Sequence, residues 1–169
     1  MYYYFSSTLP YLHFDSPPPF SEEGFAELCR EHLKPADRAA FEALVKGEDS
    51  AHSFVQAWRD FEVKLRNAVA KRRAAKLGVD ASKWLRPQNG ESPEIEHAVE
   101  AAFNEPDPLR RDTALKRLMW DKADELAGPD IFQSSHILSL HIRLRILAGR
   151  ARHNPAAGRA RLLQMTAEI

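Results

Sequence analysis

Beside its charged residues, this 169-residue chain holds seven histidines and one cysteine that could do chemistry, and their spacing argues against most of what they could do. His136 and His141 stand five positions apart. On a helix they diverge around the axis and on a strand they face opposite sides, so neither arrangement brings both imidazoles to one metal ion. His13 and the nearby Asp15 could in principle form an acid–base dyad. An aspartate just ahead of the run Pro17, Pro18, Pro19 is better suited to making a turn. The single cysteine, Cys29, excludes an internal disulfide framework and a thiolate metal cage. Its place on an apolar helical face is that of a small buried hydrophobe rather than a nucleophile. A glycine-rich phosphate loop, an H-E-x-x-H helix and a G-x-S-x-G elbow are all missing from the sequence. The expectation is a protein with no catalytic residue, no metal and no cofactor.

Positive charge is the remaining asset. The chain holds 24 Lys+Arg against 24 Asp+Glu, but the two signs are segregated. From Arg59 to Lys76 there are seven basic residues and two acidic, and from Arg143 to Arg161 six arginines and no acid, whereas Glu91 to Asp107 carries six acids and no lysine or arginine. Lys64, Arg66, Lys71, Arg72, Arg73 and Lys76 make a basic face on the second half of the longest expected helix, and Arg143 with Arg145 is a second candidate surface. Such faces can neutralise nucleic-acid phosphates or orient a protein contact. A formal net charge of zero favours the protein contact over phosphate binding. Cations near a helix C-terminus are also favoured by the macrodipole, and solvation of an exposed face accounts for them without any partner.

These residues must be positioned by helices. Ser21 is placed to cap a helix with Glu22 and Glu23 in its first turn, and Phe25, Leu28, Cys29, His32 and Leu33 fall on one face of it. Pro35 starts a second helix that carries Ala40, Phe41, Leu44 and Val45 on one face and ends at Gly47. Asp49 or Ser50 opens the longest one, striped by Phe54, Trp58, Phe61 and Leu65 and stopped by Gly78. Asp80 to Leu85 is expected to add one turn that buries Trp84, and residues 86–91 form an internal loop. Ser92-Pro93, Asp107-Pro108 and Asn154-Pro155 repeat one device, a capping residue followed by a proline whose missing N–H has no partner to lose. Leu138, Leu140, Ile142, Leu144 and Ile146 alternate with polar residues, which fits a strand or a helix gripped between two layers. The helix is preferred, because Asp130 with Gln133 looks like a capping box and a lone strand cannot satisfy its backbone.

The expected fold is all-α: one domain over residues 1–169, a bundle of about six to eight helices with residues 1–20 laid across it as an extended segment. That segment is rich in aromatics, with Tyr2, Tyr3, Tyr4, Phe5, Tyr11, Phe14 and Phe20, which must dock on something. It lacks the basic start of a signal peptide, and no stretch approaches the roughly 18 apolar residues of a membrane span, so any membrane connection runs through a partner.

The order Tyr2-Tyr3-Tyr4, Leu9-Pro10, Phe14-Asp15, prolines, Phe20-Ser21 is followed by Leu65-Arg66-Asn67-Ala68, Lys76-Leu77-Gly78, Asp107-Pro108-Leu109 through Trp120, and Leu144-Arg145-Ile146-Leu147 with Gly158. This order resembles a bacterial family of unknown function that is encoded with V/A-type ATPases and described as similar to the C subunit of V-type ATP synthases. The resemblance implies a cytoplasmic protein, peripheral to the membrane through partners, that links the central stalk to the membrane ring. Its partners would be other subunits of the rotary ATPase, with no small-molecule substrate, and it would transmit torque through shape and stiffness. The competing expectation is a helical protein that binds nucleic acid with the basic face of the 50–77 helix.

Overall fold

The segment that allows strand or helix is the centre of the fold. Leu138, Leu140, Ile142, Leu144 and Ile146 are buried, and so are Ser139, His141 and Arg143 between them. They lie on a helix in which every side chain from Ile137 to Leu144 is buried, two full turns that meet neighbours on each face, while Arg145 reaches solvent. The computed structural model describes residues 1–153 and 155–167. Among these the helices are α1 Tyr3–Thr8, α2 Glu22–His32, α3 Pro35–Lys46, α4 Ser53–Leu77, α5 Pro93–Asn104, α6 Pro108–Ala127, the central α7 Ser134–Ala151 and α8 Pro155–Ala167, with a 3₁₀ turn at Ser82–Trp84 and no strand. The chain is therefore an all-α bundle. α6 lies along α7, α2 and α3 cover other flanks of it, and α4, α5 and α6 pack on one another.

Local signals set most of the boundaries. The Ser21 side chain accepts from the Gly24 N–H at 3.0 Å, and the Asp107 side chain accepts from the Leu109 N–H at 2.9 Å. Gly47 and Gly78 close α3 and α4 at φ 75° and 67°, a left-handed conformation that costs glycine little. Elsewhere the chemistry differs from expectation. Ser92 makes no side-chain cap, so α5 starts on Pro93 alone, and the expected cap at Asn154 lies outside the described residues. The longest helix opens at His52 rather than Asp49 or Ser50, because the His52 ring nitrogen Nδ1 accepts from the Phe54 N–H at 3.2 Å. Asp130 does not cap α7: its carboxylate binds the Phe132 N–H at 2.9 Å and the Gln133 side chain at 3.0 Å, shaping the turn ahead of the helix.

Residues 1–20 do lie across the bundle, but they are not extended throughout, since Tyr3–Thr8 winds into a short helix. Tyr2, Phe5, Leu12 and Phe14 are buried while Tyr3, Tyr4 and Tyr11 face solvent. The Tyr2 hydroxyl donates to Asp37 and accepts from the Lys34 N–H, and burial with the Asp37 carboxylate pushes its pKa up to about 12. Farther along, the Arg117 and Arg150 guanidinium groups lie over the Phe14 ring at 3.8 and 3.9 Å from its centroid, with Trp120 edge-on at 5.5 Å. Arg150 also donates to the Phe14 carbonyl, and the Asp15 carboxylate sits 3.3 Å from Arg117 and 3.4 Å from Arg150. Asp15 is thus part of an arginine clamp rather than of a dyad with His13, whose ring meets Tyr11 edge-on.

Candidate functional site

The cations singled out in the sequence divide into three groups with different surroundings. Lys64 reaches back one turn to Asp60 at 2.7 Å, while Lys71 pairs with Glu96 at 2.6 Å and Arg72 with Glu100 on α5. Much of the charge segregation is therefore matched within the chain, where the acidic α5 lies against the basic half of α4. Arg143 is no surface residue at all. Only 3% exposed, it lies over Trp120 and bonds Asp124 at 2.8 Å, and burial pulls its pKa down while Asp124 opposes the shift. Its place in the middle of the enclosed α7 removes it from any contact surface. Arg145 is exposed, 3.9 Å from Glu62. That leaves Arg66, Arg73 and Lys76, which are exposed and make no ion pair or side-chain hydrogen bond among the described residues.

Arg66 and Arg73 face a groove of about 1230 Å³ that follows the outer side of α4. Its lining from α4 includes Gln56, Val63, Ala70 and Leu77 at one seven-residue register and Arg59, Arg66 and Arg73 at another. Seven residues are two helical turns, so each set forms a nearly straight row, one mostly small or apolar and the other arginine. The opposite wall comes from Trp84, Arg86, Pro87 and Gln88, with Met119 of α6 beneath. The two ends differ in charge. Toward the start of α4, Arg59 pairs with Glu62 at 2.9 Å and Asp60 is held by Lys64. Toward its end, Arg66, Arg73 and Arg86 have guanidinium groups with no partner among the described residues.

The groove exists because one buried amide holds its far wall. Asn67, 2% exposed, accepts from the Arg86 N–H at 2.9 Å and donates to the Arg86 carbonyl at 2.8 Å and to Gln88 Oε1 at 2.7 Å. A side chain thereby replaces a neighbouring backbone strand for the loop after the 3₁₀ turn. Trp84 is consequently 53% exposed on the groove wall, which corrects its expected burial: the loop is tied at Arg86, so the tryptophan stands over α4 instead of inserting between helices. Sequence reasoning missed Asn67 and the Arg59, Arg66, Arg73 row. The signals were an asparagine in a helix interior, where it competes poorly, and a repeat of seven. Asn67→Ala should destabilise the fold by about 2 kcal/mol by orphaning two backbone groups. It should also speed hydrogen exchange at the Arg86 amide, and an unchanged exchange rate would remove Asn67 from this role.

Of the remaining chemical side chains, Cys29 and His141 are enclosed and His136 is half-buried. Cys29 is fully buried and its thiol is pushed up to about 12 by desolvation, which suits an inert hydrophobe. His141 lies 5.0 Å edge-on from the Phe41 ring and 6.4 Å from the Phe25 ring, and burial with Arg145 nearby brings its pKa down to about 4. His136 is shifted downward as well, mainly by burial. Among the described residues no three His, Cys, Asp or Glu side chains are grouped to hold a metal ion, and no helix is long and apolar enough to cross a membrane. The arrangement offers recognition through shape, apolar contact and guanidinium pairing. Comparison with models of protein families, with curated proteins and with solved structures finds no match to this chain.

Proposed function

We propose that this chain is a non-catalytic helical subunit or assembly factor of a V/A-type rotary ATPase, held at the membrane periphery by its partners and working by docking and stiffness. The observation that carries the docking part is the groove along α4, with three arginines, Arg66, Arg73 and Arg86, that no carboxylate of the described residues neutralises. Unpaired guanidinium groups beside apolar side chains suit a protein interface, where arginine and aromatics are enriched. The assignment to a rotary ATPase comes from the resemblance of the Tyr2-Tyr3-Tyr4 to Ser21 order and the later blocks to the bacterial family encoded with V/A-type ATPases. A 25-residue α4 braced by α5 and α6 supplies the rigidity that such a coupler needs.

Nucleic acid is the competing ligand for the same cations. Lys71 and Arg72 are matched by Glu96 and Glu100, and Asp49, Asp60 and Glu62 share the groove lining, which weakens the uniform positive track a phosphate chain uses. Affinity purification of the tagged chain from its own cells separates the two. The rotary-ATPase reading expects stalk or ring proteins of that complex to be enriched. Recovery of RNA or DNA instead, released steeply by salt, would replace it with the nucleic-acid reading.

A further inference from the structure

The groove specifies its occupant more narrowly than "a protein". We infer that it receives a single amphipathic helix of a partner, lying antiparallel to α4, with carboxylates in its N-terminal half seated on Arg66, Arg73 and Arg86. This rests on reading the chain as a partner-binding component of a complex, and it adds the kind of segment bound.

Two observations carry it independently. The first is register. The groove face of α4 repeats every seven residues, with Val63, Ala70 and Leu77 in one row and Arg66 and Arg73 in the next. A row of small and apolar side chains at that spacing is the receiving surface for another helix, because it keeps its seam facing a partner of the same period. From Gln56 to Leu77 the row runs roughly 30 Å at about 1.5 Å per residue, enough for about six turns of an incoming helix. Ala70 in the middle of the row allows close backbone approach.

The second observation is the distribution of charge. At the start of α4 the lining Arg59 is paired with Glu62, the lining Asp60 is held by Lys64, and the lining Asp49 adds a carboxylate with no partner among the described residues. Among the described residues of the groove, only the end holding Arg66, Arg73 and Arg86 presents unmatched positive charge. A helix carries acids most favourably in its first turns, where they offset its positive N-terminal pole. The acid-bearing end over Arg73 is therefore the partner's N-terminus, and the partner runs opposite to α4. That direction also sets the two helix dipoles antiparallel.

The test uses the full chain and three synthetic peptides of about 21 residues, each a leucine-striped heptad repeat. One carries glutamates in its first two heptads, the second carries lysines at those positions, and the third carries the glutamates in its last two heptads. Fluorescence anisotropy should show the first binding at least about tenfold tighter than either other. The double variant Arg66→Glu with Arg73→Glu, whose altered side chains are exposed and unpaired, should keep the wild-type circular dichroism and reverse the preference to the lysine peptide. Equal binding of the peptides, no binding of the first, or no reversal would overturn the inference. So would a single-stranded oligonucleotide that binds in place of the peptides and is lost in the double variant. The outcome is separable from the rotary-ATPase reading: stalk or ring proteins recovered from cells by the double variant as well as by wild type would sink the groove assignment alone. Selective peptide binding without recovery of those proteins would sink only the choice of complex.

Discussion

Phe14→Ala should destabilise the protein by about 3–5 kcal/mol, a large share of what a domain of this size possesses. The ring is 5% exposed, meets Trp120 edge-on and lies under both Arg117 and Arg150. Truncation removes its apolar burial and leaves a cavity between α6 and α7, and it also takes away the surface on which two guanidinium groups rest. The Asp15 carboxylate and the Phe14 carbonyl depend on the same arginines, so the whole link from residues 9–20 to the bundle should weaken together. Urea denaturation measures the first effect, and limited proteolysis between Leu9 and Phe20 the second. A variant as stable and as protease-resistant as wild type would show that the aromatic N-terminal segment is not anchored there.

Stability should fall as the pH is lowered from about 6.5 to about 4, and His141 should be responsible for ~3 kcal/mol of the fall. In the unfolded chain an imidazole takes up a proton near pH 6.5, whereas in the fold His141 stays neutral down to about 4. Between those values the unfolded state binds more protons. Unfolding is then favoured by up to ~1.4 kcal/mol per pH unit, and above about 6.5 the contribution of the neutral ring is fully present. The cause is burial beside Phe25 and Phe41, helped by the positive charge of Arg145, with Nδ1 left without a hydrogen bond. His136 shifts in the same direction and adds to the slope. Comparing denaturation midpoints of wild type and His141→Leu at pH 7 and pH 4.5 isolates the effect from that of the carboxylates. The variant should lose much less on acidification, and parallel losses would mean that His141 is not the group that titrates.

How much of this could be read in the chain depends on the range of each interaction. Helix ends at Gly47 and Gly78 and starts at Ser21 and Asp107 were legible, because a cap acts within a few residues. α7 was ambiguous for a physical reason: burial of every side chain from Ile137 to Leu144 removes the polar face that would have shown a helical period, leaving only an alternation that also suits a strand. α1 was illegible, having no side-chain cap, and is held by the docking of Phe5 and Tyr2 rather than by its own signals. The basic face was legible as composition but not as a surface. Lys71 and Arg72 meet acids 25 and 28 positions away, and helical rotation separates them from Arg66 and Arg73. Arg143 shows the converse, a charge taken for a surface feature that the fold buries against Trp120 and Asp124.

The seven-residue spacing of Arg59, Arg66 and Arg73 could have been found without coordinates, yet it acquires meaning only when the loop held by Asn67 closes the other side of the groove. What lies against Ala70 in the cell, at the centre of that groove, is therefore decisive. Cys29 is buried with its thiol protonated, so Ala70→Cys supplies an accessible thiol that a photoactivatable cross-linker can label in the purified chain before it is returned to lysate of its own cells. Irradiation and mass spectrometry should identify adducts on an acid-bearing helix of a stalk or ring protein, and these should vanish when Arg66→Glu and Arg73→Glu are added. Adducts confined to nucleic acid, or adducts to rotary ATPase components that persist in the charge-reversed chain, would contradict a role in docking to that complex through α4.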